Sequence, residues 1–317
     1  MSLAKRLFLF VGLAAILAYA ASVARLSAQE GKPAAPSAAE ARPEAPVELP
    51  HVDFPSLDGR TTLITHLFRP PGDEPRPAVV MLHGCSGLLA KNGRFFPLYR
   101  AWAREFLKQG YVVLVVDSAK SRGFGQTCSA SEARKVMWRD RPKDAYAALR
   151  YLQAQPFVRP DRVALVGWSQ GGGVVLLTIS DKSIGRPAGL NSDFAVAVAF
   201  YPGACAEKFQ TQPYTNVPPQ GWTTHAPLLV LFGEDDAWTE LRPCEAFLSA
   251  ARARGNAIEL KTYAHAVHAF DAPDLPRTEL PQYRERDGRI PVIGTDKEAR
   301  EDAFARVPAY LAARLGK

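Results

Sequence analysis

The chain has 317 residues, 47% of them hydrophobic and 22% charged, with 23 Gly and 26 Pro. That is enough apolar material for a sizeable core, and it excludes a collagen-like, coiled-coil or wholly disordered chain. Four cysteines are too few for a disulfide-dense scaffold, and the formal charge of +7 is scattered, so nucleic-acid binding has no motif behind it.

At the amino end, Lys5 and Arg6 precede an uncharged apolar stretch from Leu7 to Ala24, and small residues follow up to Ala28. This order predicts an export signal over 1–28. The apolar stretch is also near the lower limit for spanning a bilayer, so retention as a membrane anchor is the alternative to cleavage. Loss of the segment takes Lys5, Arg6 and Arg25 with it and lowers the formal charge from +7 to +4. Residues 29–50 are rich in Ala, Glu and Pro, with Pro33, Pro36, Pro43, Pro46 and Pro50. Such a segment cannot bury enough apolar area to offset its ordering entropy, and it reads as an extended, disordered linker. A single folded domain is expected over 51–317.

Within that domain, Val52 to Phe68 reads as a lead-in hairpin around Asp58-Gly59. Short apolar runs then appear at 77–82, 111–116, 162–166, 195–200, 228–232 and 258–263. They lack period-2 alternation, as parallel strands covered on both faces do. Between them lie amphipathic stretches at 96–109, 131–155, 171–181, 240–254 and 297–315. Strand–helix alternation predicts an α/β fold with a mostly parallel, doubly wound sheet. The loops that follow the strands would then share one edge.

Three of those loops carry the chemistry. Gly167-Trp168-Ser169-Gln170-Gly171 directly follows the run 162–166 and opens a helix. In a G-x-S-x-G elbow the serine oxygen is exposed on a sharp strand-to-helix turn. A serine needs a base, and the base needs an orienting group. Gly233-Glu234-Asp235-Asp236 follows the run 228–232, and His265-Ala266-Val267-His268 follows the run 258–263. The order Ser, acid, His is that of an α/β-hydrolase. His225, which precedes the strand at 228–232, would lie at the opposite end of the sheet. The amide of Gln170, next after the serine, is the first candidate oxyanion donor.

The segments MLHGCSGL (81–88), GWSQGG (167–172), Tyr201-Pro202-Gly203, GEDDAW (233–238) and AVHAF (266–270) resemble the dienelactone hydrolase family of α/β-hydrolases. The resemblance covers most of 60–315 and implies Asp236 as the acid and His268 as the base, with Asp235 and His265 as the neighbouring alternatives. It also implies Cys85, acting through its backbone amide, as the second oxyanion donor. The type enzymes carry cysteine at the elbow, and Ser169 places this chain toward the serine-esterase branch. Tyr201 and Trp168 are expected to line the substrate site or pack beneath it. Arg122 either faces a substrate carboxylate, as an arginine from that edge can in the family, or is a solvated loop residue.

The cysteines all follow strands or open a helix at the catalytic edge, which predicts the pairs Cys205–Cys244 and Cys85–Cys128, free thiols being the alternative. No Cys/His cluster suggests a metal, and no cofactor is expected. About 26 residues separate the runs ending at Phe200 and beginning at Pro227. That is too few for a large helical cap, so the polar loop 271–296 is expected to rim an open cleft. The whole predicts an exported, periplasmic or secreted serine hydrolase acting on a small-molecule ester or lactone. The alternatives are a peptidase of prolyl-oligopeptidase type and a catalytically silent envelope-binding protein. A membrane is a partner only if the amino-terminal segment stays uncleaved.

Overall fold

Buried Val, Leu, Ala and Ile residues build a single eight-stranded sheet in the computed structural model, which describes residues 51–129, 131–213, 215–285 and 287–316. The segments read as export signal and linker lie outside the described residues. The strands are β1 (Val52–Pro55), β2 (Thr62–Phe68), β3 (Arg76–Leu82), β4 (Val112–Asp117), β5 (Val158–Trp168), β6 (Val196–Phe200), β7 (Leu228–Gly233) and β8 (Ile258–Tyr263). Their spatial order is β1-β2-β4-β3-β5-β6-β7-β8. β1 and β2 pair antiparallel, β2 meets β4 antiparallel, and every pair from β4 through β8 is parallel. Every residue of β4, β6 and β7 is buried, which explains why their sequences run continuously apolar instead of alternating.

Helices α1 (Pro97–Lys108), α2 (Ser131–Gln153), α3 (Gln170–Ile179), α4 (Glu207–Gln210), α5 (Leu241–Ala253) and α6 (Lys297–Leu315) flank the sheet. Helix α1 begins with Pro97 at its first position, where the missing N–H costs nothing, and buries Tyr99, Trp102, Ala103 and Phe106 on one stripe. Helix α6 starts at Asp296, whose side chain accepts from the Ala299 amide at 2.9 Å. Among the described residues, the four-residue α4 is the one helix between β6 and β7, and no large cap is present. The loop expected at 271–296 carries structure of its own: β9 (Thr278–Glu279) pairs antiparallel with β10 (Val292–Ile293), with a 3₁₀ turn at Pro281–Tyr283 between them. It forms a small flap.

Both expected disulfides are present, Cys85–Cys128 and Cys205–Cys244, and no free cysteine remains. Among the described residues, no helix is long and apolar enough to cross a membrane, and no cluster of side chains could hold a metal ion.

Candidate active site

Ser169 sits at the end of β5 and immediately precedes α3, with φ 54° and ψ −116°. Few non-glycine residues tolerate this region. The geometry is enforced from both sides. A Cβ at Gly167 would lie 2.3 Å from the Gly171 carbonyl oxygen, and one at Gly171 would lie 2.2 Å from that of Leu82. Only glycine lets α3 approach β5 and the β3 loop this closely. The Ser169 amide donates to Phe200 O at 2.9 Å, while Ser169 O accepts from the amides of Gly173 and Gly203. The position of Ser169 is therefore fixed by β6, α3 and the loop at Gly203 together.

The loops after β7 and β8 meet at a close crossing, where a Cβ at Gly233 would be 2.2 Å from Ala266 O. There His268 Nδ1 donates to Asp236 Oδ2 at 2.7 Å. Both side chains are buried. Asp236 also accepts from the amides of Trp238 at 2.8 Å and Thr239 at 3.1 Å, and from the Thr239 hydroxyl at 2.9 Å. Burial alone would push its carboxyl up. The His268 ring and these hydrogen bonds outweigh that and hold it below the ordinary aspartate value. The neighbouring alternatives lie elsewhere: Asp235 and His265 face each other at 3.8 Å on the surface, His265 being 90% exposed. His225 is exposed as well and pairs with Asp181.

The β3 loop is braced behind Ser169. The Gly84 amide donates to Tyr99 Oη at 2.7 Å, Cys85 O accepts from the Thr127 amide at 2.7 Å, and the Cys85–Cys128 bridge joins the same two loops. The Gln170 amide is the first of α3, among those a helix leaves without an internal acceptor. The Gln170 side chain and the His83 carbonyl share a partner that sequence reasoning missed, the fully buried Arg141 of α2. Its Nη2 donates to His83 O at 2.8 Å and its Nη1 to Gln170 Oε1 at 3.2 Å. Burial draws the guanidinium down to about 10, which leaves it charged at neutral pH. Burial and then Arg141 lower the His83 imidazole to about 3, so that ring is neutral.

Ser169, His268, Cys85, Tyr201 and Trp168 all border one cleft of about 310 Å³. Tyr201 packs its ring 4.5 Å from His268 and gives its hydroxyl to Asp271 Oδ1 at 2.7 Å. Trp168 is fully buried, stacked on Phe200 with its indole N–H on Asp271 Oδ2, so it forms floor and not a reaching arm. Asp271, a second buried carboxylate, also escaped sequence reasoning. Burial raises its carboxyl, and its donors (Tyr201, Trp102 and Trp168) are all neutral. The flap adds Leu275, Leu280, Tyr283 and Ile293 to the cleft wall. Arg122 corrects both expectations made for it: it does not border the cleft, and it is not solvated. It is held by Asp144 at 2.7 Å and Asp58 at 2.8 Å, with only 6% of its side chain exposed. The 3₁₀ turn after β4 aims it back toward the β1–β2 turn.

An eight-stranded sheet in this order, with an elbow serine and a buried Asp–His pair at the strand ends, has the architecture of the α/β-hydrolases. The family model of the dienelactone hydrolase family matches residues 63–315, and the chain belongs to that family. Over 216 residues it is 27% identical to the probable 2-oxo-3-(5-oxofuran-2-ylidene)propanoate lactonase of Bradyrhizobium, covering 65% of this chain and 78% of that protein. It is 31% identical over 142 residues to the quorum-quenching protein AidA of Acinetobacter baumannii, covering 44% and 41%. The match thus spans less than half of AidA, and that to a probable dipeptidyl-aminopeptidase B of Ajellomyces capsulatus spans 17%. Among solved structures, a dienelactone hydrolase-like promiscuous phosphotriesterase from metagenomic libraries aligns with a TM-score of 0.62 at 22% identity, covering 84% of this chain and 98% of that one. Esterase 2 of Thermogutta terrifontis aligns at 0.59 and 17% identity, covering 84% and 95%.

Proposed function

We propose that this protein is a serine hydrolase that cleaves carboxylic ester or lactone bonds through an acyl-enzyme. His268, held with Nδ1 protonated by Asp236, takes the Ser169 proton at Nε2 as the serine oxygen attacks the substrate carbonyl. The negative charge that develops on the carbonyl oxygen is met by the amides of Gln170 and Cys85. Collapse breaks the ester bond, and His268 returns the proton to the leaving alcohol. A water molecule, deprotonated by His268, then attacks the acyl-enzyme, releasing the acid and restoring Ser169. One observation carries the reading: the buried 2.7 Å Asp236–His268 pair opens on the same cleft as the strained Ser169.

The reading extends to compartment. Two disulfides fit an extracellular or periplasmic protein, since such bonds persist where the surroundings are oxidising. The basic and then apolar order of residues 1–28 supports export.

Replacing Ser169→Ala tests the chemistry. Hydrolysis of p-nitrophenyl acetate and butyrate is expected to fall by about 10⁴-fold or more, with the thermal midpoint unchanged. Turnover equal to that of the parent protein would refute the assignment of the nucleophile.

A further inference from the structure

The charges around the cleft have an uneven distribution. Among the described residues that border it, none is Lys or Arg, and the walls are aromatic and aliphatic. Five arginines of the surrounding elements are bound to other groups. Arg122 is locked between Asp58 and Asp144, and Arg141 lies behind the oxyanion loops on His83 O and Gln170 Oε1. On the flap, Arg289 binds Asp287, Glu240 and the Ala237 carbonyl, and Arg277 reaches His265 O on the surface. Arg300 is spent on the Asp271 carbonyl beneath the floor. Buried charges of both signs stand behind the cleft, Arg141 on the side of Gln170 and two carboxylates on the side of His268. Asp236 binds His268, and Asp271 binds Tyr201, whose ring lies against His268.

We infer that the cleft selects esters or lactones whose bound arm is uncharged and apolar, and discriminates against those bearing a carboxylate. The inference rests on the serine-hydrolase reading above. An apolar arm leaves water for the wall that Leu275, Leu280, Tyr283 and Ile293 provide, and is favoured by that transfer. A carboxylate on the same arm would lose its hydration with no Lys or Arg on the bordering wall to replace it. The cavity, near the lower end of the roughly 300–1,000 Å³ usual for small-molecule sites, leaves little room for such a group to keep its water.

Two esters with the same leaving group and the same number of acyl carbons test this: p-nitrophenyl pentanoate and mono-p-nitrophenyl glutarate, which differ by a terminal methyl against a carboxylate. The pentanoate is expected to be favoured in kcat/KM by at least about 100-fold. Equal rates, or a preference for the glutarate, overturn the inference. Hydrolysis of neither overturns it too, and labelling of Ser169 by a fluorophosphonate then tells whether the hydrolase reading falls with it. A second variant isolates the charge. Leu280→Arg, which places a cation on the wall, is expected to narrow the ratio at least tenfold by raising the glutarate rate, with Ser169 labelling retained to report an intact site. A ratio unmoved by that substitution would show that wall charge does not govern the choice, and would likewise overturn the inference.

Discussion

Arg141 sits inside α2 with no exposed surface, one guanidinium nitrogen on the carbonyl that precedes Gly84 and another on the Gln170 side chain. Those two segments supply the proposed oxyanion donors, and Arg141 bridges them, which in the proposed mechanism makes it a positioning residue. Arg141→Met is expected to lower kcat on p-nitrophenyl butyrate by about 10–100-fold, short of the 10²–10³ for a lost donor. KM should stay near the parent value, and Arg141→Lys should restore part of the rate. A change in thermal midpoint alone, with kcat intact, would reduce Arg141 to a structural role. Arg122 shows the opposite case, a buried arginine with no part in the cleft. Neither environment was legible in the sequence. Arg122 is paired with Asp58, 64 positions earlier, and Asp144, 22 positions later, and such long-range partners leave no local spacing to read. Ser169, Asp236 and His268 could be picked out because each stands on the loop directly after an apolar strand, and strand ends of a parallel sheet share one edge.

Two disulfides tie different elements to the sheet edge, and they should separate stability from rate. Cys85–Cys128 holds the β3 loop that carries a proposed oxyanion amide, whereas Cys205–Cys244 joins the segment after β6 to α5, and neither of its cysteines borders the cleft. Replacing either pair with serine should lower stability by about 2–4 kcal/mol in denaturant titration. Only loss of Cys85–Cys128 should also lower kcat. Equal effects of both pairs on kcat would remove the oxyanion loop from the explanation. The strands and long helices were readable because their apolar runs are continuous or recur at helical spacing. The flap was not. Its strands are two residues each, its sequence is polar and Pro-rich, and its cleft-bordering residues are spread from Ala272 to Ile293 with no period. A short, twisted ribbon of this kind is defined by what it lies against, which the flap's own sequence does not record.

At the level of the whole molecule, the buried carboxylates make folding sensitive to acid in opposite senses. The Asp236 carboxyl is lower in the folded chain than in the unfolded one, so its ionisation stabilises the fold. That contribution is complete above the unfolded value of about 3.9 and is lost as pH falls through the folded value. Asp271 is raised, so its ionisation opposes folding, a penalty absent in acid that sets in as pH rises above about 3.9. The gap in thermal midpoint between the parent protein and Asp236→Asn should therefore be widest near neutrality and close below about pH 4. A gap constant down to pH 2 would mean that the Asp236–His268 pair adds nothing to stability. The cleft also contains a native optical probe. Trp238, one of only five tryptophans, lies 5.0 Å from the His268 ring and stacks on Tyr283 of the flap at 5.2 Å. Its indole thus touches both the proposed base and the flap. In the proposed mechanism, single-turnover acylation by colourless, unlabelled esters is expected to change the protein's own fluorescence, which a stopped-flow trace would record.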